Sequence, residues 1–370
     1  MAGILEFLSA GYFHKSVNVD ENCLRWQNGL VSKLHKSIGT LLGLFTCTVF
    51  AKELLGDHIH CIRFSEETQV SEASFNSYCY ISSTFTLPHE QSSEDHPYPG
   101  VGPVQQDTDP VHHSYYQWVP YLLFLQAISF YTPYTFYKFS QDGRISSLLQ
   151  NLQNVLPYNE NREDKLGDIH IYLQDFYGSH TWWARKLMIS DFLNLINIVF
   201  NIIIMDWYLG SNFLTYGPTV ISYQMGNYPS DPFDNIFPKM TKCTLALYGP
   251  SGTVQNYDGL CVLPINVLNE KIYFLLWILL FPVAVLTVID QGFWLVMVVS
   301  KQLRNSLLCS FVLSSRPQIR QRLRKILESL PFSDWLVLYL VARNIDSVLF
   351  TGLAEKIHPP GLGYFPEEDE

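Results

Sequence analysis

The residues of this chain best suited to covalent chemistry are cysteines. Four of the seven recur at one spacing: 17 residues separate Cys61 from Cys79, and 17 separate Cys243 from Cys261. Such thiols can oxidise to disulfides or hold a metal. Disulfides persist outside the cell and are rare inside it, so the choice depends on where a membrane, if any, places them. Four cysteines allow three connectivities, and spacing does not choose among them. Cys23, Cys47 and Cys309 read as small hydrophobes. Six of the eleven histidines fall in residues 57–114, namely His58, His60, His89, His96, His112 and His113. None pairs with cysteine at a zinc spacing, so no metal is expected, and a pH-sensing role competes with plain loop polarity. Asp168, His170 and Asp175 could form an acid–base set, but charges of both signs surround them, as on a solvated helix face. Nucleotide-binding, hydrolase and zinc-protease motifs are absent from the sequence. We therefore expect neither an enzyme nor a cofactor.

The elements that must position the cysteines are membrane helices. The 370 residues are 48% hydrophobic and only 16% charged, well below the roughly 25% charged residues of a soluble domain. Residues 118–137 and 272–289 carry no charge over 20 and 18 residues, and runs of that length read as spans. Residues 37–51 and 192–205 are shorter, at 15 and 14, and reach span length only across their flanking charges. Loop charge decides between two spans and four. Lys and Arg number 4 in residues 1–36, 6 in 138–186 and 9 in 301–370, against 1 in 57–114 and 2 in 209–270. The positive-inside rule then puts both termini and the middle loop in the cytoplasm. The expected layout is spans at 37–56, 115–137, 187–208 and 272–300. Outer loops at 57–114 and 209–271 then hold two of the spaced cysteines each. Residues 1–36, 138–186 and 301–370 are cytoplasmic. A net charge of -10 argues against nucleic acid as a partner.

Within the spans, Gly39 and Gly43 form a small-residue stripe that suits close helix packing or a pore wall. Asp191, Asn194, Asn197 and Asn201 share one helix face and either line a pore or bond between helices. Pro133 is expected to kink or end the second span. The basic run from Arg316 to Lys325 suits anionic membrane lipid or a solvated helix face.

Motifs sharpen this reading. Tyr115-Tyr116-Gln117-Trp118-Val119 resembles the YYQWV signature of the innexin family at the start of its second span. Phe130-Tyr131-Thr132-Pro133 is similar to that family's FYxP. Phe237 to Cys243, Tyr248 to Gly252, Asp258 to Cys261 and Asn266 to Tyr273 resemble the insect innexin pattern, as do Cys79 to Pro88, His96 to Gly100, Asp334-Trp335 and Asn344-Ile345-Asp346. The resemblance covers nearly the whole chain and is weakest over residues 1–31. It implies an all-α membrane protein: four transmembrane helices, two disulfide-braced extracellular loops and a helical cytoplasmic region. It further implies bonds from Cys61 to Cys261 and from Cys79 to Cys243. As partners it implies a homo-oligomer, an octameric hemichannel that docks with one of an adjacent cell at a gap junction, and co-assembly with other innexins. The alternative is a tetraspan adhesion or barrier protein without a pore.

Overall fold

The structure, a computed structural model, describes residues 29–56, 58–62, 70–87, 100–102, 109–141, 161–226 and 232–357. His89, His96 and the N-terminal segment therefore lie outside the described residues. Two compact units divide the chain. One takes Leu34–Thr132 and Asn194–Thr287, and the other takes Met1–Lys33, Pro133–Leu193 and Val288–Glu370.

Four long helices stand out among the described residues: α1 (Leu30–Leu55), α3 (Val119–Gln141), α5 (Thr181–Tyr208) and α8 (Pro264–Val299). Three of them, α1, α5 and α8, are long and apolar enough to cross a membrane. The 23 residues of α3 would cover about 34 Å, enough for the ~30 Å hydrocarbon layer. Its tyrosines, prolines and Gln126 hold its mean hydropathy below that of the other three. The helix also runs on through Pro133 to Gln141 rather than ending there. One proline removes one backbone bond, and a helix packed on its neighbours tolerates that loss.

Residues 57–114 and 209–271, expected as disulfide-braced outer loops of an all-α protein, contribute a sheet that the all-α class does not include. Its strands are β1 (His60–Ile62), β2 (Thr84–Thr86), β3 (Val111–His113), β4 (Met240–Tyr248) and β5 (Val254–Val262). They pair antiparallel in the order β1-β5-β4-β2-β3. In β4 the buried residues alternate, Thr241, Cys243 and Leu245 facing inward, which is the period of a strand with one covered face. Pro250 and Gly252 close the β4–β5 hairpin, and Gly252 takes φ +78°, which glycine adopts without a Cβ penalty. Two further helices of this unit are α2 (Glu72–Ser82), capped by Ser71 Oγ accepting from Ser74 N, and α6 (Phe213–Gln224). A short α7 (Pro232–Ile236) leads toward β4.

The other unit is helical. Besides parts of the long helices it holds α4 (Asn161–Asp175), α9 (Lys301–Cys309), α10 (Pro317–Ser329), α11 (Phe332–Asn344) and α12 (Ser347–Lys356). Ten consecutive residues of α11, from Ser333 to Ala342, are buried. A helix covered on every side is the core element around which others pack. Trp335 stacks on Tyr339 at 5.2 Å and donates Nε1–H to the Arg304 carbonyl at 3.0 Å. Asp334, beside it, accepts from Gly178 N at 2.8 Å and from His180 Nδ1 at 2.9 Å. A carboxylate only accepts, so Nδ1 carries the proton and Nε2 faces the Tyr172 hydroxyl at 3.0 Å. Asp346 caps α12 through Val348 N. The tail motifs Asp334-Trp335 and Asn344-Ile345-Asp346 thus anchor this unit. Asp334→Asn keeps the shape but can accept only one of the two bonds through its single carbonyl. We expect a loss of about 2 kcal/mol, read as a lower melting temperature for the detergent-solubilised protein. An unchanged melting temperature would contradict the role.

Asp168 and Asp175 are exposed on α4 while His170 is buried. The acid–base set is not assembled.

Candidate functional site

The unit containing the sheet forms a braced cap on its helices. Cys61 of β1 lies opposite Cys261 of β5 in the strand register, and their sulfurs are bonded at 2.09 Å across 200 residues of sequence. Cys79, on α2, is bonded to Cys243 of β4 at 1.97 Å across 164 residues. All four are buried. The two bridges therefore join residues 57–114 to residues 209–271 and clamp α2 onto the sheet. Asn76 Oδ1 on α2 accepts from Cys61 N at 3.0 Å, reinforcing the clamp. Gly259 permits it, since a Cβ there would lie 2.6 Å from Phe75 Cε1. Among the described residues, the one close group of potential metal ligands is Cys61, Cys79 and Cys261. Their sulfurs are taken up in disulfides, so no thiolate remains to hold a metal.

The Tyr115–Val119 signature joins the cap to its helix. Tyr115–Gln117 is a single 3-10 turn leading into α3. The last carbonyls of α2 have no partner within their own helix. Gln117 Nε2 donates to the Tyr80 carbonyl, and Tyr116 Oη donates to the same oxygen at 3.4 Å. Tyr208 of α5 donates its hydroxyl to the Tyr115 carbonyl. Tyr116 and Val119 are fully buried, while Trp118 is 63% exposed. The signature is thus two hydrogen-bonding anchors flanked by one outward-facing aromatic.

A second anchor falls in the motif segment Asn266 to Tyr273. Asn266, Asn269, Glu270 and Tyr273 on α8 are all buried. Their i, i+3, i+4, i+7 spacing puts them on one face, and that periodicity was the signal available. Asn266 Nδ2 donates to the Pro238 carbonyl at 2.7 Å. Lys239 Nζ lies 3.2 Å from both Asp234 Oδ1 and Glu270 Oε2, and Lys271 Nζ lies 2.9 Å from Glu270 Oε1. Burial alone would lower the Lys239 ammonium, but the Asp234 and Glu270 carboxylates outweigh it and raise it above its ordinary value.

Polar bonds join the long helices of this unit. Asn201 Nδ2 on α5 donates to Ser129 Oγ on α3 at 3.0 Å and to the Asn197 carbonyl at 2.8 Å. Asn194 and Asp191 lie buried on the same face of α5, and Asn197 is partly buried. Gly39 packs α1 against α3, where a Cβ would lie 3.1 Å from Phe130 Cβ. Gly43, one turn on, is partly buried. His35 Nε2 of α1 meets Thr287 Oγ1 of α8 at 2.9 Å. Gly39, Asn201 and His35 thus make contacts between helices within one chain.

Of the histidines near the cap, His58, His60 and His112 are exposed and His113 is buried. His113 Nε2 meets Thr86 Oγ1 at 2.7 Å, with the Tyr115 ring edge-on at 6.1 Å. Burial, helped by neighbouring His112, lowers its pKa from 6.5 to about 4. The unfolded chain therefore takes up a proton that the folded cap refuses. This stability is present above the ordinary value and is lost as pH falls from 6.5 toward 4. At about pH 5 the loss should reach about 2 kcal/mol. Amide exchange at Thr84–Thr86, corrected for intrinsic rates, should quicken on acidification in the native protein and not in His113→Gln. Equal behaviour of the two proteins would contradict it.

Comparison with known proteins covers this whole architecture. The innexin family profile matches residues 28–359. Innexin shaking-B of Drosophila melanogaster is 33% identical over 337 residues, covering 89% of each chain. Innexin inx2 of Schistocerca americana is 34% identical over 343 residues, covering 91% of this chain and 93% of that one. Innexin inx2 of Drosophila melanogaster is 32% identical over 340 residues and 90% of each. The match spans the braced cap, the signature turn and the α11 core together, and the chain belongs to the innexin family.

Proposed function

We propose that the chain is a structural subunit of gap junctions, forming a large pore that passes ions and small molecules between adjacent cells. The observation that carries the reading is the family match over residues 28–359. Its site is the plasma membrane at cell junctions. Transport through such a pore is passive, so no catalytic residue or cofactor is needed. The finer layout is our reading as well. Four helices cross the membrane, α3 included, with both termini and residues 138–186 in the cytoplasm, which the loop charge supports. The braced sheet then faces outward, where the compartment keeps disulfides oxidised. Eight copies surround one pore, and two such hemichannels meet across the intercellular gap. A stiff outer surface favours that docking, because a flexible one would lose entropy on contact. Adhesion without a pore is not favoured, since it would leave the family's channel architecture unused.

Two readouts test this. Epitope tags at Met1, within residues 162–167 and at Glu370 should be reached by antibody only after permeabilisation, and a tag at residues 91–94 on intact cells. Surface access to the Glu370 tag would overturn the four-span layout. A small fluorescent tracer injected into one cell should pass to its neighbour only when both express the chain. Contact without tracer transfer would favour adhesion.

A further inference from the structure

The helical unit carries a basic cavity that the channel reading does not use. Helices α9 and α10 flank an open cavity of about 700 Å³, lined by Lys301, Asn305, Gln321, Arg324, Lys325 and Glu328 among others. That volume lies within the range of small-ligand sites. The lining holds three cations against one carboxylate. None of Lys301, Arg324 and Lys325 makes an ion pair or side-chain hydrogen bond among the described residues. Neighbouring arginines differ: Arg316, at the N-cap of α10, pairs with Glu355 at 3.5 Å, and Arg320 donates to the Val312 carbonyl at 3.0 Å. Asn305, 3% exposed, completes the polar lining.

We propose that this cavity binds a phosphorylated polyol, with Lys301, Arg324 and Lys325 on its phosphates and the Glu328 carboxylate accepting from a ligand hydroxyl. The polar donors of Gln321 complete the recognition of oxygen-rich groups. Lys301 stands two residues beyond Val299, the last residue of α8. In the four-span layout, on which this clause rests, the cavity opens at the inner membrane face, where phosphoinositide headgroups lie. The chemistry itself does not depend on that layout.

The test uses the full-length protein purified in detergent. Its probes are short-chain phosphatidylinositol bisphosphate, free inositol trisphosphate and short-chain phosphatidylcholine. Lys301→Gln, Arg324→Gln and Lys325→Gln together should weaken phosphoinositide binding at least about tenfold. These side chains are exposed and unpaired, so the melting temperature should hold. A control triple, Arg316→Gln, Arg322→Gln and Lys356→Gln, removes equal charge outside the cavity and should weaken binding by no more than about threefold. Phosphatidylcholine should not bind. Tighter binding of the lipid than of the free headgroup assigns the site to the membrane. Equal binding assigns it to a soluble phosphorylated polyol, and either result supports the cavity. Absence of binding by both phosphorylated probes, or equal losses in the two triples, overturns it.

Discussion

Replacing Cys61 with serine should abolish intercellular coupling while part of the protein still reaches the cell surface. The two bridges of the cap are not independent. With Cys79 bonded to Cys243, the loop that Cys61–Cys261 closes runs through that bridge and spans about 36 residues rather than 200. In the chain-entropy model such a closure contributes about 4 kcal/mol. The substitution also frees Cys261, buried against β1, as a lone thiol, which the four-span layout places in an oxidising compartment. Mispairing then adds to the lost constraint. Cys61→Ser with Cys261→Ser removes the lone thiol and should leave more protein at the surface than the single variant, without restoring coupling. Surface biotinylation and paired-cell conductance measure the two effects. Peptide mapping without reductant should find Cys61 with Cys261 and Cys79 with Cys243. Normal coupling in the single variant would contradict the need for the brace, and a peptide joining Cys61 to Cys79 would contradict its connectivity.

Gly217→Val should be nearly as damaging, for a packing reason. Gly217 sits on α6, and a Cβ there would lie 2.2 Å from Trp277 Cδ2 on α8, with two more ring atoms at 2.3 Å. No real side chain tolerates that approach, so the indole or the helix must move. Overpacking of a filled core costs about 1–3 kcal/mol, and the valine branches add to it. The expected outcome is a large loss of surface protein and no coupling. Pairing Gly217→Ala with Trp277→Leu empties the space the methyl needs and should recover expression relative to Gly217→Ala alone. Wild-type expression of Gly217→Val would contradict the close approach of α6 and α8.

How much of this was legible varies with the kind of signal. The apolar run of α8 announced itself, because long uncharged stretches have few alternative explanations. Its helix begins eight residues before the expected span, at Pro264, since the buried polar face Asn266–Tyr273 continues the same helix with residues a hydropathy reading treats as loop. The run within α3 was visible as well, yet its aromatic and proline content makes it the least apolar of the four long helices. The sheet was missed for a different reason. Strands β1, β2 and β3 have three residues each, too short to show a period. Strands β4 and β5 have nine residues each, and β4 is the one whose buried positions alternate along most of its length. Helix α6 hides behind Gly217-Pro218, which reads as a break, because its close packing on Trp277 is tertiary and leaves no local trace. The polar stripe on α5 was found by spacing, but spacing alone could not tell a pore face from the bond of Asn201 to Ser129. The basic run on α10 was likewise seen as charge. Its division into paired arginines and an unpaired cavity-lining set needed the fold.

Dual whole-cell recording from paired cells, both expressing the chain alone and otherwise uncoupled, reads whether the chain makes channels that join two cells. Junctional current should flow between the cells and disappear in Cys61→Ser pairs. Current across the membrane of single cells with none between paired cells would contradict docking, and absence of both currents with normal surface protein would contradict the pore.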